Sequence, residues 1–288
     1  MTLLDEVSAA GRRLVGAGLR PKDAARDAEV LARHALGWDL ATYLCRRQEP
    51  APARFESRYR SLVRRRAERE PVSCITGRRE FWGLSFEVGP AVLTPRPETE
   101  LLIEEALAVV ANRNAALWIV DVGTGSGCLA IALALELPAA RVTAIDVSSA
   151  ALDVARRNAD AHGVSARITW TQASYLDGLA SGAPARADMI VANLPYVPSA
   201  AITVLSPEVK DHEPLVALDG GRDGLDPLRA LIGDVAAYLT AGGHLVVEFG
   251  AGQEDAVRAL LATTPDLQLL SVAGDLSGIP RAAVIRRH

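Results

Sequence analysis

The chain predicts a doubly wound α/β domain preceded by a small all-helical one. Up to about residue 70, apolar residues recur at helical spacing. After Glu98, strand-like and helix-like stretches alternate to the carboxyl end, the pattern of a mostly parallel sheet with helices on both faces. Between these regions, short extended pieces are punctuated by Gly77, Gly83 and Gly89, which suits a hairpin. The 288 residues, 49% hydrophobic and 23% charged, supply apolar material for two cores. The expected division is residues 1–72 as a helical substrate-recognition domain, 73–95 as a hairpin linker and 96–288 as the catalytic domain.

In chain order, the helical signals are Leu3, Leu4 and Val7, then Leu14 and Val15, then "AARDAEVLARHALGW", with Gly18, Pro21 and Gly37 as punctuation. "RFESRYRSLVRRRAERE", residues 54–70, places arginines around Phe55, Tyr59, Leu62 and Val63. It belongs to a charge asymmetry hidden by the net charge of -4: 17 basic and 11 acidic residues lie in the first 80 positions, 14 and 24 in the rest. The run reads either as a solvated helix face or as a patch that steers an acidic partner.

Several classes are excluded by composition. "MTLLDEVSAAGRR" carries acids early and lacks the basic-then-apolar order of a secretory signal, and the most apolar stretch is broken by Glu136 and Pro138. Cys45, Cys74 and Cys128 are too few for a disulfide framework or a zinc site, and His34, His162, His212, His244 and His288 show no ligand spacing. The expectation is a cytoplasmic protein that needs no metal.

The most informative stretch is "LWIVDVGTGSGCLAIALALE", residues 117–136. An apolar strand runs into Gly123, Gly125 and Gly127, and a helix of small apolar residues begins at once. Such a corner lets the backbone approach a ligand closely and offers helix N–H groups to it. The next strand, "RVTAIDVS", ends in Asp146, where a carboxylate can accept from both hydroxyls of a ribose. The spacing Asp121-x-Gly123-x-Gly125-x-Gly127 is one residue tighter than a dinucleotide fingerprint, and the chain has no P-loop lysine.

Further on, "ADMIVANLPY" is the fourth strand of such a sheet, stopped by Pro195, which cannot donate a ladder hydrogen bond and holds Leu194 extended. The glycine loop resembles the first motif of class I methyltransferases that use S-adenosylmethionine. Residues 193–196 resemble the (N/D)-P-P-(Y/F) motif of enzymes that methylate planar amide or amino nitrogens. The chemistry is consistent with that motif: a delocalised nitrogen needs orientation more than deprotonation. The Asn193 side-chain oxygen and the Leu194 carbonyl can each accept an N–H, and Tyr196 can pack on the planar face.

"PVSCITGRREFWGL", "VLTPRPETELLIE", "DVGTGSGCLAIALAL", "NLPY" and "EPLVALDGGRDGL" occur in the order seen in the peptide chain release factor glutamine methyltransferases, the HemK/PrmC family, and the resemblance spans nearly the whole chain. Residues 95–100 and 213–225 are its most particular blocks. The resemblance implies a class I fold and methyl transfer from S-adenosylmethionine, which leaves as S-adenosylhomocysteine, to the glutamine of the release factors' Gly-Gly-Gln loop. It implies cofactor binding by Asp121, Gly123, Thr124, Gly125, Ser126, Gly127, Asp146, Tyr175 and Asn193. Residues Asn193, Leu194, Pro195 and Tyr196 would grip the substrate amide, Asn193 and Tyr196 being catalytic, while Arg96, Pro97 and Glu98 shape the pocket wall.

The family usually has Pro at the position of Leu194 and Asp at that of Ser174. "NLPY" also resembles the motif of ribosomal RNA adenine dimethyltransferases, which makes RNA adenine methylation an alternative, beside a ribosomal-protein glutamine methyltransferase. A non-catalytic binding module on the same fold would show a damaged glycine loop or a lost Asn193, and this chain shows neither. The balance of -10 in residues 81–288 favours a protein substrate over RNA. Release factors are therefore the expected partner of a monomeric enzyme, with no stable nucleic-acid partner and no membrane association.

Overall fold

The computed structural model describes residues 1–179 and 186–288. It divides into two compact units, Met1–Arg78 with Ser206–His212, and Arg79–Leu205 with Glu213–His288.

The first unit contains α1 (Leu3–Gly16), α2 (Pro21–Leu36), α3 (Leu40–Arg46), α4 (Phe55–Ala67) and α5 (Val72–Thr76). Thr2 and Asp5 cap α1 reciprocally, each side chain accepting from the other's backbone N–H. Gly37 ends α2 in the left-handed conformation. Leu3, Val7 and Leu14 of α1, Leu31 of α2 and the stacked pair Phe55 and Tyr59 of α4 form the core. The arginine run of α4 is more occupied than a solvated face. Arg66 is buried and donates to Asp27 at 2.7 Å and to Glu208 at 3.1 Å, Arg69 reaches Glu208 at 2.8 Å, and Arg65 pairs with Glu70. Removing one partner of the buried Arg66 pairs would cost about 3 kcal/mol.

The second unit opens within the hairpin of β1 (Arg78–Phe81), whose first residue closes the first unit, and β2 (Leu84–Glu87). Its turn at Trp82 and Gly83 has positive φ at both residues, the twist that suits a two-residue hairpin. There follow α6 (Glu100–Ala108), β3 (Trp118–Val122), α7 (Cys128–Glu136), β4 (Arg141–Asp146), α8 (Ser149–Ala161), β5 (Ile168–Gln172) and β6 (Ala187–Ala192). The segment of the first unit after residue 205 carries the short α9 (Pro207–Lys210). The remainder is α10 (Asp226–Tyr238), β7 (Leu239–Glu248), α11 (Glu254–Ala262), β8 (Leu267–Gly274) and β9 (Pro280–Arg287).

Seven strands form one sheet in the order β5-β4-β3-β6-β7-β9-β8. The first five are parallel, and β9 runs antiparallel between β7 and β8. Both faces are covered, which is why the parallel strands read as continuous apolar runs. One face packs on α6, α7 and α8 through Leu102, Ile103 and Leu133, the other on α10 and α11. Leu228, Leu231, Ile232 and Val235 form the buried stripe of α10 at helical spacing, each side chain stabilising by roughly 2 kcal/mol. No helix among the described residues is long and apolar enough to cross a membrane.

Candidate active site

Strand order reverses between β3 and β6, and ligands of open α/β sheets sit at the carboxyl ends of strands flanking such a point. The register aligns Val122 with Ile145 and Ala192, and Ala192 with Val247. The residues that follow these four therefore share one sheet edge: Gly123, Asp146, Asn193 and Glu248.

The loop after β3 turns through residues of positive φ. At Gly123 a Cβ would stand 3.4 Å from Leu194 Cδ2, and at Gly127 it would stand 3.1 Å from Ala155 Cβ, so the loop lies against both its neighbours. Asn158 of α8 pins it from behind, donating to the Ser126 carbonyl at 2.9 Å and exchanging bonds with the backbone of Glu87 in β2. Asp146 accepts from the Gly125 N–H and the Ser148 N–H, both at 2.9 Å, which holds its carboxylate at the loop's rim. Asp121 is fully buried; one oxygen accepts from Thr124 Oγ1 at 2.7 Å and from the Ala130 N–H at 3.1 Å. Its other oxygen has no hydrogen-bond partner among the described residues. Burial pushes the Asp121 carboxyl up to about 7.

These groups surround a cavity of about 700 Å³, within the range of sites that take a cofactor-sized ligand. Gly123, Thr124, Gly125, Ser126 and Asp146 line it, with Tyr175 at positive φ, and so do Asn193, Leu194, Pro195 and Arg96. Ser174 lines it as well. Leu194 is buried, its side chain joining the core beneath the glycine loop, so this position is filled by an apolar side chain. Asp121 and Gly127 lie behind the lining. Pro97 and Glu98 stand exposed on the turn before α6 and do not line the cavity. Arg96 spends its guanidinium on Glu213, whose carboxyl burial raises, so the two blocks most particular to the family resemblance meet as an ion pair.

Tyr196 is set back from the cavity, where burial and the neighbouring Glu248 carboxylate raise its phenol. Glu248 was not singled out in the sequence, although it ends its strand as Asp146 does. It is buried and accepts from Thr99 Oγ1 at 2.8 Å, and Thr99 in turn receives Asn193 Nδ2 at 3.0 Å. Burial pushes the Glu248 carboxyl up to about 7, against the hydrogen bonds from Thr99 and Tyr196. Gln253 is a second unforeseen residue. Its Nε2 reaches the Tyr196, Gly224 and Asp223 carbonyls at 3.1, 3.3 and 3.4 Å, while its oxygen accepts from the Gly250 N–H at 2.7 Å. The Val197 N–H donates to Leu218 and the Gly220 N–H to Val197, so the block at 213–225 holds the segment after Asn193 in place.

S-adenosylmethionine fits this corner. Asp146 offers carboxylate lone pairs to a ribose, and Tyr175 offers a ring to a purine. The Asp121 carboxylate behind the loop makes no contact with the cavity, and its negative charge favours a ligand that carries an ammonium there. The sheet order, the glycine loop and Asp146 define a class I S-adenosylmethionine-dependent methyltransferase.

Comparison with known proteins narrows the class. Residues 7–77 match the PrmC N-terminal domain family and residues 96–212 the ribosomal protein L11 methyltransferase (PrmA) family. The chain is 41% identical over 281 residues to the release factor glutamine methyltransferase of Bradyrhizobium diazoefficiens, covering 96% of this chain and 93% of the other. It is 40% identical to that of Cereibacter sphaeroides, covering 99% of both. The crystal structure of a ribosomal protein L11 methylase from Lactobacillus delbrueckii subsp. bulgaricus shares the fold, with TM-score 0.51 and 23% identity over 69% of this chain and 83% of the other. The chain belongs to the release factor glutamine methyltransferase family.

Proposed function

We propose that the protein methylates the side-chain amide nitrogen of the glutamine in the Gly-Gly-Gln loop of class 1 peptide chain release factors, acting in the cytoplasm where those factors work. The observation that carries this reading is the placement of Asn193 on the cavity wall directly beside the glycine loop, in a chain about 40% identical to release factor glutamine methyltransferases. When bound, S-adenosylmethionine supplies a methyl group on a positively charged sulfur and leaves as S-adenosylhomocysteine.

An amide nitrogen is a weak nucleophile because its lone pair is delocalised into the carbonyl. The chain's contribution is therefore orientation and exclusion of competing geometries. Asn193 Oδ1 and the Leu194 carbonyl each accept one amide N–H, which aims the nitrogen's face at the methyl. The nitrogen–carbon bond forms as the sulfur–carbon bond breaks, and the amide proton leaves to solvent after transfer. Nothing in this step requires a metal, and no cluster of metal-ligating residues exists among the described residues.

The test is transfer of labelled methyl from S-adenosylmethionine, offered in parallel to unmethylated release factor, to the same factor with its loop glutamine replaced, and to ribosomal RNA. Label on the intact factor alone is expected. Label on RNA, or on the factor lacking that glutamine, overturns the reading.

A further inference from the structure

Glu248 takes no part in the transfer just described, yet it is wired to the side chain that does. Asn193 Nδ2 donates to Thr99 Oγ1 at 3.0 Å, and Thr99 Oγ1 donates to Glu248 Oε2 at 2.8 Å. Tyr196 stands beside the same carboxylate and favours its ionised form. Thr99 and Glu248 are 2% and 4% exposed, so water does not compete for these bonds. A hydroxyl carries a single proton, and an ionised carboxylate only accepts. Thr99 must therefore give its proton to Glu248 and turn a lone pair toward Asn193. Only the amino end of the Asn193 amide can meet a lone pair; the flipped amide would set oxygen against oxygen in a buried place. The oxygen of Asn193 is then the end available to a ligand in the cavity.

We infer that Thr99 and Glu248 are positioning residues that lock the Asn193 amide in the orientation presenting an acceptor, so the site takes a planar nitrogen bearing N–H and rejects an approach by its carbonyl side. This rests on the glutamine-amide reading of the site. Each anchor stands on regular structure: Glu248 ends β7, whose Val247 pairs with Ala192 immediately before Asn193, and Thr99 closes the turn before α6. The orientation is thus set before substrate arrives. Discrimination of this kind is the strong kind, because a wrong ligand leaves a buried polar group unpaired.

The charged and titratable groups facing Glu248 include Tyr196, Arg281, which favours its ionised form, Glu98, which opposes it, and the Cys128 thiol, which its charge raises. On protonation the carboxyl acquires a hydrogen of its own, and the one-way order of donors through Thr99 is lost. The lock is accordingly a property of the ionised form.

The experiment measures methyl transfer to unmethylated release factor at saturating cofactor, each variant normalised to its S-adenosylhomocysteine-binding sites counted by calorimetry. Thr99→Val should lower kcat roughly 10- to 100-fold, with KM for the factor and cofactor affinity changed less than about threefold. Thr99→Ser should restore kcat to within about threefold of the parent. Glu248→Gln keeps the side chain's size and shape, and should lower kcat and remove the fall in kcat expected of the parent on the acid side of pH 7. A parental kcat in folded Thr99→Val overturns the inference. If Thr99→Val does not fold, a parental kcat and acid limb in Glu248→Gln overturns it equally. Asn193→Ala separates the two levels: full turnover in that variant overturns the role given to Asn193 itself, whereas loss of turnover there with parental Thr99→Val and Glu248→Gln overturns the lock alone.

Discussion

Arg96 and Glu213, 117 positions apart, form an ion pair on the cavity wall in which the carboxylate side chain is 2% exposed and the arginine side chain 33%. The pair joins the loop before α6 to the segment that braces Asn193 from the other side.

Truncating the arginine leaves a buried carboxylate without its cation. Arg96→Ala should destabilise the protein by about 2 kcal/mol at pH 8, and Arg96→Ala with Glu213→Gln should recover part of the loss. Burial already raises the Glu213 carboxyl above its ordinary value, so the folded protein holds that proton more tightly than the unfolded chain does. The penalty of the single variant therefore grows as pH rises and shrinks toward pH 5. Urea unfolding at both pH values reads the difference.

Asp121 should couple cofactor binding to pH. With its carboxyl at about 7, the cofactor-free protein carries a proton there below neutrality, and a bound ammonium favours the ionised form. Affinity for S-adenosylmethionine should weaken as pH falls through 7, by about tenfold per unit at the limit, and proton release should accompany binding near pH 7. Calorimetry in two buffers of different ionisation enthalpy measures that release. Asp121→Asn should bind more weakly at pH 8 and lose the pH dependence.

Asp146 braces the loop, accepting from Gly125 and Ser148, at the position proposed to hold the ribose. Asp146→Ala should raise the Kd for S-adenosylhomocysteine by roughly 100-fold, more than the loss of a single neutral hydrogen bond would explain. An unchanged Kd would place the ribose elsewhere.

Gly224 has φ +81, and a Cβ there would stand 2.3 Å from the Tyr196 carbonyl. Gly224→Ala must displace either that carbonyl or Gln253, shifting the segment that presents Asn193. Turnover should fall roughly 100-fold while S-adenosylhomocysteine affinity, set on the other side of the cavity, changes little. Parallel calorimetry and methyl-transfer assays distinguish this from general unfolding.

Asp146, the glycine loop and Asn193 were legible because a ligand corner follows a local grammar: apolar strand, tight turn, polar residue at the strand's end. Glu248 obeys that grammar too, at the end of "HLVVEFG", but only the sheet order shows that its strand lies beside the one leading to Asn193. Thr99 was hidden differently. Inside "PRPETE" a threonine reads as a turn residue, and nothing local reveals that the turn buries its hydroxyl against a carboxylate 149 positions away. The arginines of α4 were visible as charge, whereas their neutralising partners Asp27 and Glu208 lie 39 and 142 positions from Arg66. Tyr196 illustrates the converse: its motif suggested a surface for substrate, and the fold turns its hydroxyl to Glu248.

Leu194 does something a proline would do less well. Its side chain reaches beneath the glycine loop and joins the core that β6 and α10 share, so the glycine loop and the segment from Asn193 rest on one apolar contact. Two loops that rest on the same buried side chain cannot open independently. Backbone amides of residues 123–127 and of Asn193, Leu194, Tyr196 and Val197 should therefore exchange with deuterium through a common opening, with similar protection, rather than through separate local fluctuations.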